Sequence, residues 1–315
     1  MRVYGSDANR NVAFVGHGGS GKTTLVDALA FVSGASRRHG NIKDGTTLTD
    51  YTPDEIARQH SISLGLAYAE WMDTKLNLLD TPGYLDFFGE VVTGLHAADA
   101  AVVVVSGVSG VEVGTEKAWE VCDRLHLPRL IFVGQMDKEH ANFERVFADV
   151  KAHLSPKVLP VEVPIGEGST FRGIVNLFSG KSHIYKPGTK SGEYDEVDVP
   201  AEHQAEVKKY SDLLIETVAA TDDALIERYL GGEEIPREEV IAALKTAVVA
   251  GSIVPLFVGS ATLTFGMRAL LTKMVEIFPA AADVPPPVDA PLLGRVFKTT
   301  SEPHVGDVTL FRLYA

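Results

Sequence analysis

This sequence predicts an α/β fold built on a doubly wound, mostly parallel sheet, and two observations support the prediction. Short apolar runs rich in β-branched residues alternate with helical patterns, which is typical of strands buried on both faces of a parallel sheet. A glycine-rich segment also joins the first apolar run to a helical pattern. The predicted strands are Val12–Val15, Leu76–Leu79, Ala101–Val105, Leu130–Val133 and Val254–Val258.

The glycine-rich segment reads GHGGSGKT and runs from Gly16 to Thr23. It matches G-x-x-x-x-G-K-[ST], and its setting between a strand and a helix makes this pattern a phosphate cradle, or P-loop. Its glycines let backbone N–H groups face one point, where the helix N-terminus adds positive charge. We therefore expect Lys22 to contact the β- and γ-phosphates of a nucleotide and Thr23 to bind Mg²⁺. Further contacts are predicted from Gly16, His17, Gly18, Gly19, Ser20, Gly21 and Thr24.

Other candidate contacts follow from strand ends, because ligands of parallel α/β sheets bind at the carboxyl ends of the strands. Asp80 can hold Mg²⁺ through water, and Gly83 can donate its backbone N–H to a γ-phosphate. Asp137 can accept two hydrogen bonds from guanine that adenine cannot supply. Backbone N–H groups after the last strand can meet the guanine O6. The predicted contacts at these ends also include Thr81, Pro82, Tyr84, Gly134, Gln135, Met136, Lys138, Gly259, Ser260 and Ala261.

The ordered segments GHGGSGKT, DTPGYLDF, FVGQMDK and GSA resemble those of translational GTPases, most of all elongation factor G and the elongation factor G-like proteins. The resemblance covers essentially the whole chain. It implies GTP and GDP binding with Mg²⁺, GTP hydrolysis, and the ribosome as partner. It also places Ser61 where the family has a threonine that coordinates Mg²⁺, and serine keeps that hydroxyl. Loss of the γ-phosphate is expected to release residues 40–62 and 80–95.

Three departures from the family pattern affect the expected chemistry. Tyr84 stands where the family has a histidine thought to order the attacking water, so we expect slow hydrolysis without the ribosome. Gly134 and Gln135 stand where the family has Asn-Lys, and loss of the asparagine removes a link to the phosphate loop. We therefore expect a preserved guanine preference with weaker affinity. Gly19 replaces the family's usual aspartate, which enlarges the space near the β–γ bridge.

The predicted catalytic residues are Lys22, Thr23, Ser61, Asp80, Gly83 and Tyr84, and the predicted metal ligands are Thr23, Ser61 and Asp80.

The chain is predicted to hold one GTP-binding domain, an insertion within it, and the start of a second domain. The insertion is expected to be an α+β subdomain like the extra subdomain of elongation factor G. The tail alternates like the opening strands of the family's β-barrel domain, and a hairpin alone cannot bury its inner face, so we expect a longer native protein. The assigned ranges are 1–157 and 252–283 for the GTP-binding domain, 158–251 for the insertion, 284–292 for a proline-rich linker and 293–315 for the start of the barrel.

Composition bounds the function further. The chain has 315 residues, of which 45% are hydrophobic and 23% charged, as in an ordinary globular protein. Its formal net charge of −13 argues against nucleic acid held by bulk electrostatics, so we expect no DNA partner and only local RNA contacts or contacts made elsewhere. The only cysteine, Cys122, cannot form a disulfide within the chain, and no apolar run is long enough to span a bilayer. We therefore expect a cytoplasmic monomer with no membrane contact.

Other functions stay open at this point. A guanine-nucleotide sensor or ribosome-associated regulator with little hydrolysis is favoured by Tyr84 and by Gly134-Gln135. A ribosomal-protection or release-factor-3-like GTPase belongs to the same superfamily and is distinguished mainly by the domains that follow. A P-loop ATPase or kinase is disfavoured, because it leaves Asp137 and Ser260-Ala261 unexplained at successive strand ends.

Overall fold

The computed structural model describes residues 2–186, 188–189, 191–286, 293–302 and 304–314. The helices are α1 (Lys22–Val32), α2 (Pro53–Arg58), α3 (Phe88–Ala97), α4 (Val113–Arg124), α5 (Phe143–His153), α6 (Gln204–Ala219), α7 (Asp223–Leu230), α8 (Arg237–Val249) and α9 (Met267–Ile277). The strands are β1 (Asn9–Val15), β2 (Gly65–Trp71), β3 (Thr74–Asp80), β4 (Ala100–Ser106), β5 (Arg129–Gly134), β6 (Val158–Pro160), β7 (Glu162–Ile165), β8 (Gly173–Asn176), β9 (Lys181–Tyr185), β10 (Tyr194–Asp198), β11 (Val254–Val258), β12 (Leu293–Glu302) and β13 (Gly306–Tyr314). None of the helices within these ranges combines the length and apolarity that a membrane crossing requires.

In the described residues, seven strands form the central sheet in the order β2-β3-β1-β4-β5-β11-β6. Neighbouring strands are parallel except β2 and β3, which are antiparallel at one edge. Every residue of β4 and of β11 is buried, as expected for strands covered by helices on both faces. The predicted α/β fold with a mostly parallel sheet is therefore confirmed.

Two strands of this sheet are not among the predicted ones. The edge strand β2 alternates partly exposed and buried positions, so it lacks the continuous apolar run of the inner strands. It turns into β3 through Met72 and Asp73, whose φ angles of 48° and 55° fit the left-handed turn of a tight hairpin. The short strand β6 pairs with β11, although 158–160 lies in the range assigned to the insertion.

The other described residues of the range 158–251 form a second, antiparallel sheet and three helices. The sheet has the strand order β10-β9-β8-β7. Helix α6 packs on α5, where the Tyr210 ring contacts the rings of Phe143 and Phe147 at centroid distances of 6.2 and 6.1 Å. Asp222 caps α7 by accepting hydrogen bonds from two backbone N–H groups at 2.9 and 3.0 Å, which is a common role of aspartate at a helix N-terminus.

Strands β12 and β13 form an antiparallel hairpin that is anchored on the end of α3. Arg312 forms an ion pair with Asp99, and both side chains are buried. Arg295 donates to the backbone carbonyl of His96 at 3.1 Å. Of the predicted linker, residues 287–292 lie outside the described residues.

Glu162, at the start of β7, predicts a pH-dependent stability. Burial raises the pKa of its carboxyl group to about 8, although a backbone hydrogen bond and the charge of Lys273 act to lower this pKa. Because the folded-state pKa lies above the unfolded value, stability is highest below about pH 4.3 and falls as the pH rises toward 8. We expect Glu162→Gln to stabilise the chain by about 2 to 5 kcal/mol at pH 8 and by much less at pH 5.

Unfolding curves of both proteins between pH 5 and pH 8 measure this difference. Glu216→Gln, at an exposed position of α6, is the matched control and should leave the pH dependence unchanged. An identical pH slope in the wild type and Glu162→Gln would contradict the prediction.

Candidate nucleotide-binding site

The loop between β1 and α1 curves through glycines with positive φ angles. These angles are 143° at Gly16, 82° at Gly19 and 96° at Gly21. A Cβ atom added at Gly16 would lie 2.3 Å from the Val104 carbonyl oxygen, so only glycine fits there. Lys22 begins α1, and its Nζ donates to the carbonyl oxygens of residues 16 and 17 at 3.0 and 2.8 Å. The lysine side chain therefore lies within the curve of the loop.

The electrostatics of Lys22 favour an anionic ligand. Its side chain is buried, with 5% of the residue exposed. Burial lowers the pKa of the ammonium group to about 8, whereas Asp80 and Asp50 act to raise it. An anion at the loop would favour the charged form of the lysine and oppose this effect of burial.

Hydroxyl and carboxylate oxygens cluster beside the loop. Thr23 Oγ1 lies 3.0 Å from Ser61 Oγ, and Asp80 Oδ2 accepts a hydrogen bond from Thr49 Oγ1 at 2.5 Å. Both carboxylate oxygens of Asp50 and Oδ1 of Asp80 are buried with no hydrogen-bond partner in the described part of the chain. Burial raises the pKa of Asp50. The pKa of Asp80 is raised to about 7, mainly by burial and to a smaller extent by the charge of Asp50.

This cluster fits a divalent cation. Hard cations such as Mg²⁺ take oxygen ligands, including carboxylates and hydroxyls. Buried carboxylate oxygens without a donor also need a positive partner, because an unpaired buried charge is costly. The predicted ligands Thr23, Ser61 and Asp80 are brought together here, and the structure adds Asp50, which is not among the predicted ligands.

The segment after β3 closes over the loop. A Cβ atom at Gly83 would lie 2.4 Å from Lys22 Nζ and 2.6 Å from the Gly18 nitrogen, so a side chain at position 83 would collide with the loop. The Tyr84 ring covers Gly18, where an added Cβ would lie 2.9 Å from the ring. Tyr84 also lies against the imidazole of His60, with the ring centroids 4.7 Å apart.

One cavity lies over the phosphate loop, and we call it the phosphate end of the site. A second cavity adjoins it, and Gly21, Thr24 and Gln135 line both. Lys138, Ala261 and Asp137 also line this cavity. Asp137 Oδ1 is buried and has no hydrogen-bond donor among the described residues. An acceptor that needs donors suits the N1–H and exocyclic amine of guanine.

The sequence predicts that the segment after β5 lacks a link to the phosphate loop, and the structure shows that this prediction is wrong. Gln135 Nε2 donates to the Gly19 carbonyl oxygen at 2.9 Å, and its Oε1 accepts from Ser106 Oγ at 2.7 Å. The backbone φ of Gln135 is 62°, which turns its side chain toward the loop. Gln135 therefore supplies the contact that Gly134 cannot make. A missing link to the phosphate loop is no longer a reason to expect weaker nucleotide affinity.

Several predicted contacts shape the site without lining either cavity. Thr81 donates its hydroxyl to the Phe14 carbonyl oxygen at 2.7 Å. The backbone N–H groups of Gly259 and Ser260 donate to other carbonyls, at 3.0 Å in each case, so the predicted contact with guanine O6 is left to Ala261. The other residues of this kind are Gly16, His17, Asp80, Pro82 and Met136.

His17 has a structural position at the edge of the loop. Its Nδ1 accepts from the Gly114 backbone nitrogen at 3.2 Å, and its Nε2 lies 3.5 Å from Glu112 Oε1. Its own backbone N–H donates to Thr115 Oγ1 at 3.3 Å. These contacts tie the phosphate loop to the first turn of α4.

The phosphate loop, the cluster of oxygens beside it and the adjoining cavity define a P-loop nucleotide-binding protein. Residues 7–280 match the family described as Elongation factor Tu GTP binding domain. The chain belongs to this family, and it is a GTP-binding domain of the translational GTPase class.

The chain is also similar to a protein of known crystal structure from Thermus thermophilus, with 38% sequence identity and a TM-score of 0.88. The match covers 98% of this chain and 46% of that one. This chain therefore spans about half the length of the protein that it matches.

Asp50 predicts a change in metal requirement. We expect Asp50→Asn to raise the Mg²⁺ concentration needed to retain a fluorescent GDP analogue by about tenfold, because the buried carboxylate would no longer attract the cation. The measurement is retention of the analogue over a Mg²⁺ titration. Asp54→Asn is the control, since Asp54 is exposed on α2 in the same segment. Equal Mg²⁺ midpoints for Asp50→Asn and the wild type would refute this role.

Gln135 predicts a change in affinity. We expect Gln135→Ala to weaken GDP binding about tenfold, because the loop carbonyl of Gly19 and the hydroxyl of Ser106 both lose a partner. Calorimetric titration with GDP measures the effect. Gln204→Ala removes an exposed amide from α6 and should leave the affinity unchanged, and an unchanged affinity in Gln135→Ala would show that the link is dispensable.

Proposed function

We propose that this chain is the GTP-binding and GTP-hydrolysing module of an elongation factor G-like translation factor that acts on the ribosome. The observation that carries the guanine specificity is Oδ1 of Asp137, which has no hydrogen-bond partner among the described residues and lies in a cavity that adjoins the phosphate loop. Family membership supports GTP binding. The antiparallel sheet and helices inserted between α5 and β11 support the elongation factor G-like assignment, since the sequence of this insertion resembles the extra subdomain of that factor.

The residues of the phosphate end have separate roles in this proposal. Lys22 and the loop N–H groups bind the β- and γ-phosphates, and the backbone N–H of Gly83 contacts the γ-phosphate. Thr23, Ser61, Asp80 and Asp50 would hold Mg²⁺, which supplies positive charge to the oxygens of the transferred phosphoryl group. The domain ranges assigned from the sequence remain part of this proposal.

The hairpin of β12 and β13 is positioned to read the nucleotide state. Lys298 Nζ donates to Ser63 Oγ at 3.2 Å and to the carbonyl oxygen of Leu64, just after Ser61. Arg295 contacts the end of α3, the helix that follows Gly83. Both segments that approach the γ-phosphate therefore also contact the hairpin. Release of that phosphate would change the contacts that hold the hairpin in place.

A guanine-nucleotide sensor with little hydrolysis is the second candidate, because a phenol at position 84 replaces the expected imidazole. Phosphate release by a full-length protein, with and without ribosomes, distinguishes the two functions. A rate that rises with ribosomes supports the GTPase, and a negligible rate under both conditions supports the sensor.

Asp137 predicts a change in base specificity. We expect Asp137→Asn to weaken GTP binding about 100-fold, because an amide cannot accept hydrogen bonds with both of its polar atoms. The same change should strengthen binding of xanthosine triphosphate, whose oxygen replaces the exocyclic amine. A competition titration of the two nucleotides measures the preference.

The control for this experiment is Asp212→Asn, at an exposed position of α6, which should keep the wild-type preference. Circular dichroism of each variant checks that the fold is retained. A folded Asp137→Asn variant with unchanged preference would show that Asp137 does not read the base.

A further inference from the structure

We propose that His60 orients the attacking water in GTP hydrolysis by this chain. The inference rests on the proposed function and adds a residue to the same site. His60 lines the cavity at the phosphate end together with Gly83 and Tyr84. It comes from the segment that carries Ser61, whereas the family pattern places the water-orienting residue directly after Gly83.

The backbone around His60 is held by the carbonyl oxygen and the buried carboxylate of Glu55. Gln59, which directly follows α2, has a φ of 57°, and the next backbone N–H, that of His60, donates to the Glu55 carbonyl oxygen at 3.3 Å. The Glu55 side chain accepts from the backbone nitrogens of Ile62 and Ser63 at 3.1 and 3.2 Å. His60 therefore lies in a turn that is fixed on both sides.

The imidazole itself has a defined orientation. Its Nδ1 lies 3.2 Å from the Ser61 carbonyl oxygen. A carbonyl only accepts hydrogen bonds, so Nδ1 of the neutral ring carries the hydrogen and Nε2 keeps its lone pair. The ring packs against Tyr84 and Phe87 at centroid distances of 4.7 and 6.1 Å. This packing limits the rotation of the ring and leaves Nε2 as an acceptor for water.

The other side chains near the phosphate end are less suited to this role. The two ring nitrogens of His17 are engaged with Gly114 and Glu112. Lys22, Thr23 and Ser61 serve the phosphates and the cation in the proposed function. Asp50 is likewise assigned to the cation, and both polar atoms of the Gln135 amide are engaged with Ser106 and Gly19. The other polar side chains among the described residues that line this cavity are Thr24, Gln59 and Tyr84, and the experiment below tests the last two.

The reaction needs an oriented water and no net transfer of a proton to the protein. The water oxygen forms a bond to the γ-phosphorus, and the bond from that phosphorus to the β–γ bridging oxygen breaks. The electron pair of the broken bond leaves with GDP, and the protons of the water end on the released phosphate and the solvent. By accepting a hydrogen bond from the water, His60 Nε2 directs a lone pair of the water oxygen toward phosphorus.

The test is single-turnover GTP hydrolysis with protein in excess. We expect His60→Ala to slow hydrolysis about 100-fold, because the water loses its orientation, while the GTP dissociation constant stays within about twofold. His60→Gln, whose side-chain oxygen accepts hydrogen bonds, should recover part of the rate. The control is His126→Ala, since His126 is exposed and precedes β5, at the amino-terminal edge of the sheet.

Equal hydrolysis rates in the wild type and His60→Ala would overturn the inference, including equal failure to hydrolyse. A loss of rate in Tyr84→Phe or Gln59→Ala with full activity in His60→Ala would also overturn it, and would assign the water to the other residue. Absence of GTP binding in the wild type would instead refute the proposed function. The binding and rate measurements therefore separate the two failures.

Discussion

The joint burial of one lysine and two carboxylates constrains the rest of this structure. Lys22, Asp50 and Asp80 are each buried, with exposed fractions of 5, 4 and 1%. Each buried charge carries a desolvation penalty of about several kcal/mol, and only opposite charges and hydrogen bonds reduce it. The loop carbonyls and Thr49 supply part of that compensation. A phosphate ester and a cation would supply the remainder, so the site is built for ligands that carry both signs of charge.

The burial of these charges also requires a fixed conformation in the segment that carries Asp50 and Ser61. Asp50 and Ser61 are brought to the phosphate loop by a segment whose conformation is fixed by Glu55, which accepts hydrogen bonds from Thr52 on one side and from Ile62 and Ser63 on the other. Hydrogen bonds from these groups lower the pKa of Glu55 although its burial acts to raise it. The ionised carboxylate therefore organises the turn, and only three residues separate Ser61 from the start of β2 at Gly65.

The sequence predicts the parts of the fold that repeat a simple pattern. The inner strands are continuous apolar runs, and the phosphate loop is a specific motif, so both are predicted correctly. The edge strand β2 is missed because its pattern alternates, and β6 is missed because three residues carry too little periodicity. The strand ends led to the prediction of Asp80 and Asp137, and the structure places Asp80 near Lys22 and Thr23 and Asp137 in the adjoining cavity. Asp50 and His60 are not among the predicted site residues, because they follow no strand end and belong to a segment whose hydrogen bonds from Ile62 and Ser63 to Glu55 correspond to no sequence motif.

At the phosphate end, the residues at positions 18, 60 and 84 depend on one another for their packing. A ring at position 84 needs space over the loop, and Gly18 provides it, since an added Cβ would lie 2.9 to 3.1 Å from the Tyr84 ring atoms. The ring then forms one wall of the space that holds the His60 imidazole. A tyrosine after Gly83 therefore does more than remove an expected histidine. It supports an imidazole that enters from another segment, and this exchange keeps an imidazole at the phosphate end while altering the direction from which it approaches.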